Sequence, residues 1–330
     1  VAGVTTLDAG TNNISLATGS HDFNNVVFTG GDVSLSDING INIGDNGTGS
    51  PASTASGTLS ITTDGAITDT NSSSVTVAGT ANLDAGSGNI TMLNTDFQST
   101  LTAAAANTIT IDDSTALNVG NLSAATVIDL TAGTSINSDS GSIVSNQVNL
   151  AAANGITATT QTATLKADNT VGAIAINNTG DIVLESLTTS GDITFNNDAN
   201  ITMSAGSVDA DYDVGNINMT TTNGSFLGSG AAEINNADVT AFTATFVGRN
   251  GSFGTALRPL VLNIKESVLI NTRRSIAPGI TPPGPRLGVT DLSDFQFDFV
   301  DASNAVAGEQ LITLEELEDI DPAIFSDVRN

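Results

Sequence analysis

The sequence predicts an all-β chain that folds as a right-handed parallel β-helix, a solenoid of about 19–20 residues per coil with a C-terminal cap or arm. Three observations predict this class. A short phrase, apolar–x–apolar after Gly, Asn or Asp, recurs along residues 1–248. Its copies return at a nearly constant interval, which is typical of repeat architectures. Aromatic residues make up only 4% of the 330 positions, so the core must be thin and aliphatic.

The interval between repeats defines the coil. Ile174 and Ile193 are 19 residues apart, and so are Ile182 and Ile201. Because these two series interleave, each coil contains at least two short strands. Alternation along a strand points Ile182 and Leu184 toward the inside of the coil. Gly, Asn and Asp between the strands tolerate the left-handed backbone that a tight corner needs.

Stacking explains how such short strands become stable. A strand of three to five residues does not stand alone, but identical phrases stacked coil upon coil form parallel ladders that bury one another's apolar rows. Residues 1–248 provide about a dozen coils, and at about 4.8 Å per coil the rod is about 60 Å long. A β-sandwich is the alternative, yet sandwich strands are usually longer and need no fixed 19-residue interval.

Two segments lengthen the interval. Residues 43–57 stretch one coil to 26 residues, and residues 205–216 stretch another to 24 residues. Both segments are rich in residues that favour turns. They are therefore predicted to be loops that bulge from a corner of the solenoid.

The chain changes character after residue 248. Residues 1–248 carry one Lys or Arg, Lys166, against 23 Asp and Glu, whereas the other seven Lys and Arg lie beyond this point, with six of the seven prolines. We therefore predict three regions: the rod at 1–248, a terminal coil or cap at 249–275, and a Pro-rich extended arm at 276–330.

Two elements are predicted within the arm. Residues 294–300, DFQFDFV, alternate between polar and aromatic residues and predict a strand with Phe295, Phe297 and Phe299 on one face. A short helix is predicted at about 314–321, where a capping box precedes it and a proline follows it.

Two roles for this C-terminal region stay open. As a cap, it would cover the end of the solenoid, whose unpaired strand edge would otherwise aggregate. As an assembly arm, it would reach a neighbouring subunit. Arg273, Arg274 and Arg286 would then meet the acidic rod, and the strand at 294–300 would add to a partner's edge.

Residues 251–264, GSFGTALRPLVLNI, are similar to the segment that closes the solenoid in filamentous haemagglutinin-like large exoproteins of Gram-negative bacteria. The Cys-free composition, rich in Asn, Thr and Gly, and the 19-residue repeat resemble the same proteins. The resemblance implies two-partner secretion across the outer membrane, an extracellular or cell-surface fibre, and a role in adhesion, biofilm or matrix. It implies no catalytic residue.

The composition argues against several classes of protein. A net charge of −27 repels nucleic acid and anionic membrane surfaces, so neither is a predicted partner. No stretch of 18 or more apolar residues occurs, and membrane insertion is not predicted. The absence of Cys excludes a disulfide framework and thiolate metal sites.

Asp209, Asp211 and Asp213 in DADYDVG are the candidate metal ligands. Three oxygen ligands at alternate positions followed by Gly resemble the first half of an EF-hand loop. The Gly falls one position late, and Thr220 stands where an EF-hand needs Glu. We therefore predict a weak Ca²⁺ site, with a solvated acidic bulge as the alternative, and no other cofactor.

No catalytic residue is predicted. Asp112 and Asp113 are the adjacent acidic pair of the coils, but neighbouring strand residues point to opposite faces, which makes a poor pair for glycoside hydrolysis. His21, the single histidine, is predicted to be a solvated corner residue.

Three functions follow from these observations. The leading hypothesis is a secreted structural solenoid that self-associates into a homopolymer, as a filament or surface fibre with an adhesive or biofilm-matrix role. The second is a monomeric adhesin whose loops at 43–57 and 205–216 bind a host receptor or polysaccharide. The third is a polysaccharide-active β-helix enzyme.

Overall fold

The computed structural model describes residues 3–44, 52–69, 73–138, 141–204, 206–228, 237–255, 257–258 and 260–272. Within these ranges all 29 regular elements are β-strands and no helix occurs. No helix that could span a membrane is therefore found in the described part of the chain. The all-β class is confirmed.

The strands are short and follow one another closely along the chain. In the N-terminal half they are β1 (Val4–Asp8), β2 (Ile14–Leu16), β3 (Asn25–Gly30), β4 (Val33–Asp37), β5 (Ile41–Ile43), β6 (Ser53–Ala55), β7 (Leu59–Thr63), β8 (Ile67–Asp69), β9 (Val75–Val77), β10 (Ala81–Asp84), β11 (Ile90–Phe97), β12 (Thr100–Ala105), β13 (Thr108–Asp113), β14 (Leu117–Ala124) and β15 (Val127–Ala132). In the C-terminal half they are β16 (Ile136–Asn137), β17 (Ile143–Val144), β18 (Gln147–Ala152), β19 (Ile156–Gln161), β20 (Thr164–Asn169), β21 (Ile174–Asn178), β22 (Ile182–Thr189), β23 (Ile193–Asn197), β24 (Ile201–Met203), β25 (Val208–Ala210), β26 (Asn216–Thr221), β27 (Phe226–Gly228), β28 (Val239–Gly248) and β29 (Leu262–Thr272).

These strands pair in parallel and form one continuous sheet that winds through two ladders. The first ladder contains β2, β4, β7, β10, β12, β14, β16 with β17, β19, β21, β23 and β26, and the C-terminal halves of β28 and β29. The second ladder contains the remaining strands and the N-terminal halves of β28 and β29. The result is a parallel β-solenoid of about 12 turns, as predicted.

The strand register confirms the predicted interval between coils. Ile174 lies opposite Ile193 in the first ladder, and Ile182 lies opposite Ile201 in the second. Branched side chains therefore stack directly upon one another, about 4.8 Å apart along the rod. This stacking is what lets a two- to six-residue strand be stable.

The core is a narrow column filled by the inward side chains of both ladders. Most strands place two apolar residues inward and then a small or polar one. In β23, for example, Ile193 and Phe195 are fully buried and Asn197 follows them; in β13 the third inward position is Asp113. Polar side chains thus reach the corners, where backbone N–H and C=O groups need partners.

Two segments predicted as loops contain strands, so that prediction was wrong in part. β6 lies within residues 43–57 and pairs with β3 and β9. β25 lies within residues 205–216 and pairs with β22 and β28. β6 begins with the polar residue Ser53, and β25 follows Ser207 and not Gly, Asn or Asp, so neither segment shows the repeat phrase.

The last two strands are long and rest on an aromatic cluster. β28 and β29 have 10 and 11 residues and pair with each other across both ladders. Phe246 of β28 packs against Phe226 and Phe253 in the core, with ring centroids 5.0–6.0 Å apart. The predicted boundaries at residues 248 and 275 stay predictions, and the predicted strand and helix of the arm lie outside the described residues.

Candidate functional site

The residues predicted to form an assembly interface lie outside the described part of the chain. They are Arg273, Arg274, Arg286, Phe295, Phe297 and Phe299. Their role in a subunit contact stays a prediction.

The acidic loop after β25 is fastened to the last described coil. Lys265 Nζ lies 2.7 Å from Asp213 Oδ1, and the two residues are 52 positions apart in the sequence. The same ammonium group lies 5.7 Å from the ring centroid of Tyr212 and 5.9 Å from that of Phe242. The hydrogen bond to Asp213 raises the pKa of Lys265. Lys265 therefore holds the loop by an ion pair and by cation–π contact.

The three candidate calcium ligands have different surroundings. Asp209 points outward from β25, and burial of its carboxyl group, with the charge of Asp211 added, raises the pKa of Asp209. Asp211 Oδ1 accepts the backbone N–H of Asp213 at 2.8 Å, while Asp213 itself pairs with Lys265. Among the described residues no group of three or more His, Asp or Glu is placed to hold a metal ion. The Ca²⁺ site stays a prediction.

Asp112 and Asp113 face opposite sides of their strand, as alternation predicts. Asp112 is exposed, whereas Asp113 is fully buried. Its carboxylate accepts hydrogen bonds from the backbone N–H of Phe97 at 2.7 Å and of Thr115 at 2.9 Å. Burial nevertheless raises the pKa of Asp113. These contacts give Asp113 a structural role at a corner of the coil.

His21 differs from its prediction as a solvated residue. The imidazole is half-buried and stacks on Phe23, with ring centroids 5.3 Å apart and planes 17° apart. Its Nε2 atom is buried without a hydrogen-bond partner. The packing follows from the apolar segment that begins two residues later, which draws the ring against the rod.

A shallow open groove of about 500 Å³ crosses the second ladder where small side chains occupy a corner. Ala132 and Ala152 take the third inward position in β15 and β18, and Asp168 and Thr188 line its far side. None of its lining residues is aromatic. The groove therefore lacks the ring stacking that sugar-binding clefts commonly use.

The two ladders differ sharply in charge, and the sequence analysis did not find this. On the described strands of the second ladder, the outward charged residues are Asp8, Asp96, Asp112, Asp129, Lys166, Asp168, Glu185, Asp209, Lys265 and Glu266. On the described strands of the first ladder, Asp84 is the single outward charge, since Asp37 is buried. We call the outward side of the first ladder the first-ladder face.

The sequence contains the residues that make this face neutral, but the pattern can be recognised only when the register between strands is known. Outward positions of successive coils must be aligned before a column of neutral residues appears. From β19 to β29 one column reads Thr157, Ala175, Thr194, Asn218, Thr245 and Leu269. The next column reads Thr159, Asn177, Asn196, Thr220, Val247 and Asn271.

Comparison with known proteins agrees with a repeat architecture. Residues 1–29 and 30–104 match a family described as repeats of unknown function (DUF5649), which is less than half of the chain. Neither the curated proteins nor the solved structures gave a significant match. The match to a repeat family and the stacked coils of the structure both fit a repeat β-solenoid protein.

Proposed function

We propose that this chain is a secreted structural rod of the filamentous haemagglutinin-like kind, which assembles through subunit contacts into an extracellular filament or surface fibre. Adhesion or matrix formation would be its role, and the chain would act mechanically and not as an enzyme. The observation that supports this proposal is the parallel pairing that joins the described strands, from β1 to β29, into one sheet. In the described coils the side chains that face inward serve the stacking of one coil on another.

The segment that carries the resemblance also supports the proposal. Phe253 is buried and bridges to Phe226, and Gly254 turns the backbone at a φ of 64°. Arg258 then donates from Nε to the carbonyl of Gly228 at 2.8 Å and from Nη2 to Thr202 Oγ1 at 3.2 Å. The segment thus lies across the last coils before β29 begins.

Electron microscopy of the purified full chain tests the assembly. We expect filaments whose subunit repeat is near the rod length of about 60 Å. Deletion of residues 276–330 should leave single short rods, because the arm supplies the predicted contact between subunits. Filaments that persist after this deletion would refute the role of the arm, and single rods formed by the intact chain would refute assembly.

A matched pair of variants separates charge from packing in this contact. Replacing Arg273, Arg274 and Arg286 by Lys keeps three positive charges, whereas replacing them by Ser removes these charges. Because the rod is acidic, we expect the Lys variant to assemble and the Ser variant to lose assembly. The difference should be largest at low ionic strength, where salt screens the attraction least.

A second candidate function, binding of a host or glycan surface by a monomer, is favoured by one feature. The loop at 211–215 exposes Val214 at 64% and Tyr212 at 39% of their surface, next to Lys265. We expect the change of both exposed residues to Ser to leave the rod folded, because neither side chain is buried in the core. Loss of surface binding without loss of folding, as followed by circular dichroism, would support this candidate.

A further inference from the structure

The first-ladder face is nearly free of charge on a strongly acidic rod. The whole chain has a net charge of −27, and yet the described strands of this face carry only Asp84 outward. Exposed acids lie instead at the corners that border the face, among them Asp32, Asp192 and Asp198. Protein–protein interfaces likewise have few charged residues at their centre and a polar rim.

The outward groups of this face are already partly paired with one another. Asn196 Nδ2 donates to Asn177 Oδ1 at 2.9 Å, and Thr243 Oγ1 donates to Asn216 Oδ1 at 2.6 Å, each bond joining neighbouring coils. Burying a polar group costs free energy mainly when the group is left without a partner. These ladders of hydrogen bonds reduce that cost when another surface covers the face.

The face also has enough area for a stable contact. About 12 coils spaced about 4.8 Å apart, with about five residues of about 3.3 Å on each strand, give a surface about 60 Å long and about 17 Å wide. That is about 1,000 Å² per rod, against about 800 Å² per partner in a protein interface of standard size.

Charge decides which partner fits. Two copies that meet through their second ladders bring rows of carboxylates together, and like charges in contact cost several kcal/mol. Two copies that meet through their first-ladder faces bring neutral side chains together over most of the contact, and the bordering carboxylates stay at its edge, where solvent and salt screen them. The described part of the face has no aromatic side chain outward, so it lacks the stacking groups that would favour a sugar polymer.

We propose that the first-ladder face is a lateral docking surface for a second copy of this chain, so that rods pair side by side. The contact is isologous, since the same surface is used by both partners. This inference rests on the proposed function in that both need self-association, but it concerns the side of the rod and not its end.

A set of three substitutions tests the pairing. Thr157→Asp, Asn196→Asp and Thr245→Asp place carboxylates on alternate coils of the face, at outward positions that leave the core unchanged. The matched control is Thr91→Asp, Gln147→Asp and Val183→Asp, which adds the same charge to outward positions of the second ladder. Circular dichroism with thermal melting establishes that both full-length variants are folded.

Sedimentation velocity and electron microscopy then measure the paired state. We expect wild type and the control to form rods of double width, and the first-ladder variant to dissociate with a dissociation constant raised on the order of a hundredfold. Rods of single width in wild type, or equal losses in both variants, would overturn the proposal. Wild-type monomers that bind cellulose, with binding lost only in the first-ladder variant, would identify a neutral glycan as the occupant instead.

The outcomes distinguish this inference from the proposed function. Single-width filaments formed by the first-ladder variant would leave end-to-end assembly standing while supporting lateral pairing. Side-by-side pairs without filaments in wild type would refute end-to-end assembly and keep the lateral contact. Filaments of single width in wild type would support end-to-end assembly and refute the lateral contact.

Discussion

Buried polar side chains at the corners of the coils match the backbone groups they meet. The carboxylate of Asp69 accepts hydrogen bonds from the backbone N–H groups of Leu93 and Asn94. That of Asp113 accepts one from the N–H group of Phe97 in the same way. Asn197 instead donates from Nδ2 to the carbonyls of Ala199 and Asn200 at 2.9 and 3.2 Å. A carboxylate only accepts hydrogen bonds, whereas an amide also donates them. Asp therefore suits a corner that presents backbone N–H groups, and Asn suits a corner that presents carbonyl groups.

The buried carboxyl groups lead to a prediction about pH. Burial raises the pKa of Asp113 in the folded chain above its ordinary value of 3.8. Between the pKa of the unfolded chain and the higher pKa of the folded chain, the folded chain therefore binds more protons than the unfolded chain. The stability that Asp113 contributes is therefore highest at low pH and falls as the pH rises through this window. We expect Asp113→Asn to gain stability relative to wild type as the pH increases.

Denaturant midpoints measured at several pH values for wild type and variant check this prediction. The difference between the two proteins matters, since other acids also titrate. Asp69→Asn should show the same trend, because burial also raises the pKa of Asp69. A variant that instead loses stability relative to wild type as the pH rises would show that hydrogen bonds outweigh burial at this corner.

At the scale of the element, glycines set how closely consecutive corners approach. A Cβ atom on Gly88 would overlap the backbone of Gly65 in the coil below, and one on Gly65 would overlap Asn39. Gly180 is different: it has a φ of 98°, and a Cβ atom there would meet nothing within 4 Å. The first glycines are needed for space, and Gly180 is needed for its backbone conformation.

This difference predicts unequal effects of the same substitution. Gly180→Ala should cost about 1–2 kcal/mol, the strain of a left-handed backbone. Gly88→Ala should cost more, because two stacked corners must move apart and the hydrogen bonds of neighbouring coils stretch. Thermal melting of the two variants measures the order, and an equal or smaller loss for Gly88→Ala would contradict the steric explanation.

Much of the fold was predictable because a stacked solenoid repeats its chemistry at the interval of its geometry. Ile182 and Ile201 are neighbours in space for the same reason that they are 19 residues apart in sequence. β6 and β25 were missed, since β6 begins with a polar residue and β25 does not follow Gly, Asn or Asp as the repeat phrase does. The pair of Lys265 and Asp213 was missed because longer coils between them break the regular interval.

The chain carries far more negative than positive charge, and few ion pairs offset this in the part that the structure describes. In the described residues the ion pairs are Lys166 with Glu185 and Lys265 with Asp213, both largely exposed. Exposed pairs contribute little to stability, and repulsion among many carboxylates opposes a compact state. The stability of the rod therefore depends on the apolar columns and the ladders of hydrogen bonds.

Salt should accordingly stabilise the protein. Raising the ionic strength from about 0.01 M to about 0.15 M shortens the screening distance from about 30 Å to about 8 Å. We expect the melting temperature to rise over this range, because screening weakens the repulsion, and a fall would contradict this. NaCl and CaCl₂ at equal ionic strength should act alike, unless Ca²⁺ binds specifically. An extra CaCl₂ effect lost in Asp211→Asn would support the Ca²⁺ site.

The stacking of coils has a consequence for reach. Each coil consumes about 19 residues and adds about 4.8 Å of height, which is about 0.25 Å per residue, against about 1.5 Å in an α-helix and about 3.3 Å in a strand. The architecture therefore yields girth and stiffness at the expense of length. A molecule built in this way extends far from a cell only if its gene is very long or if many copies are joined.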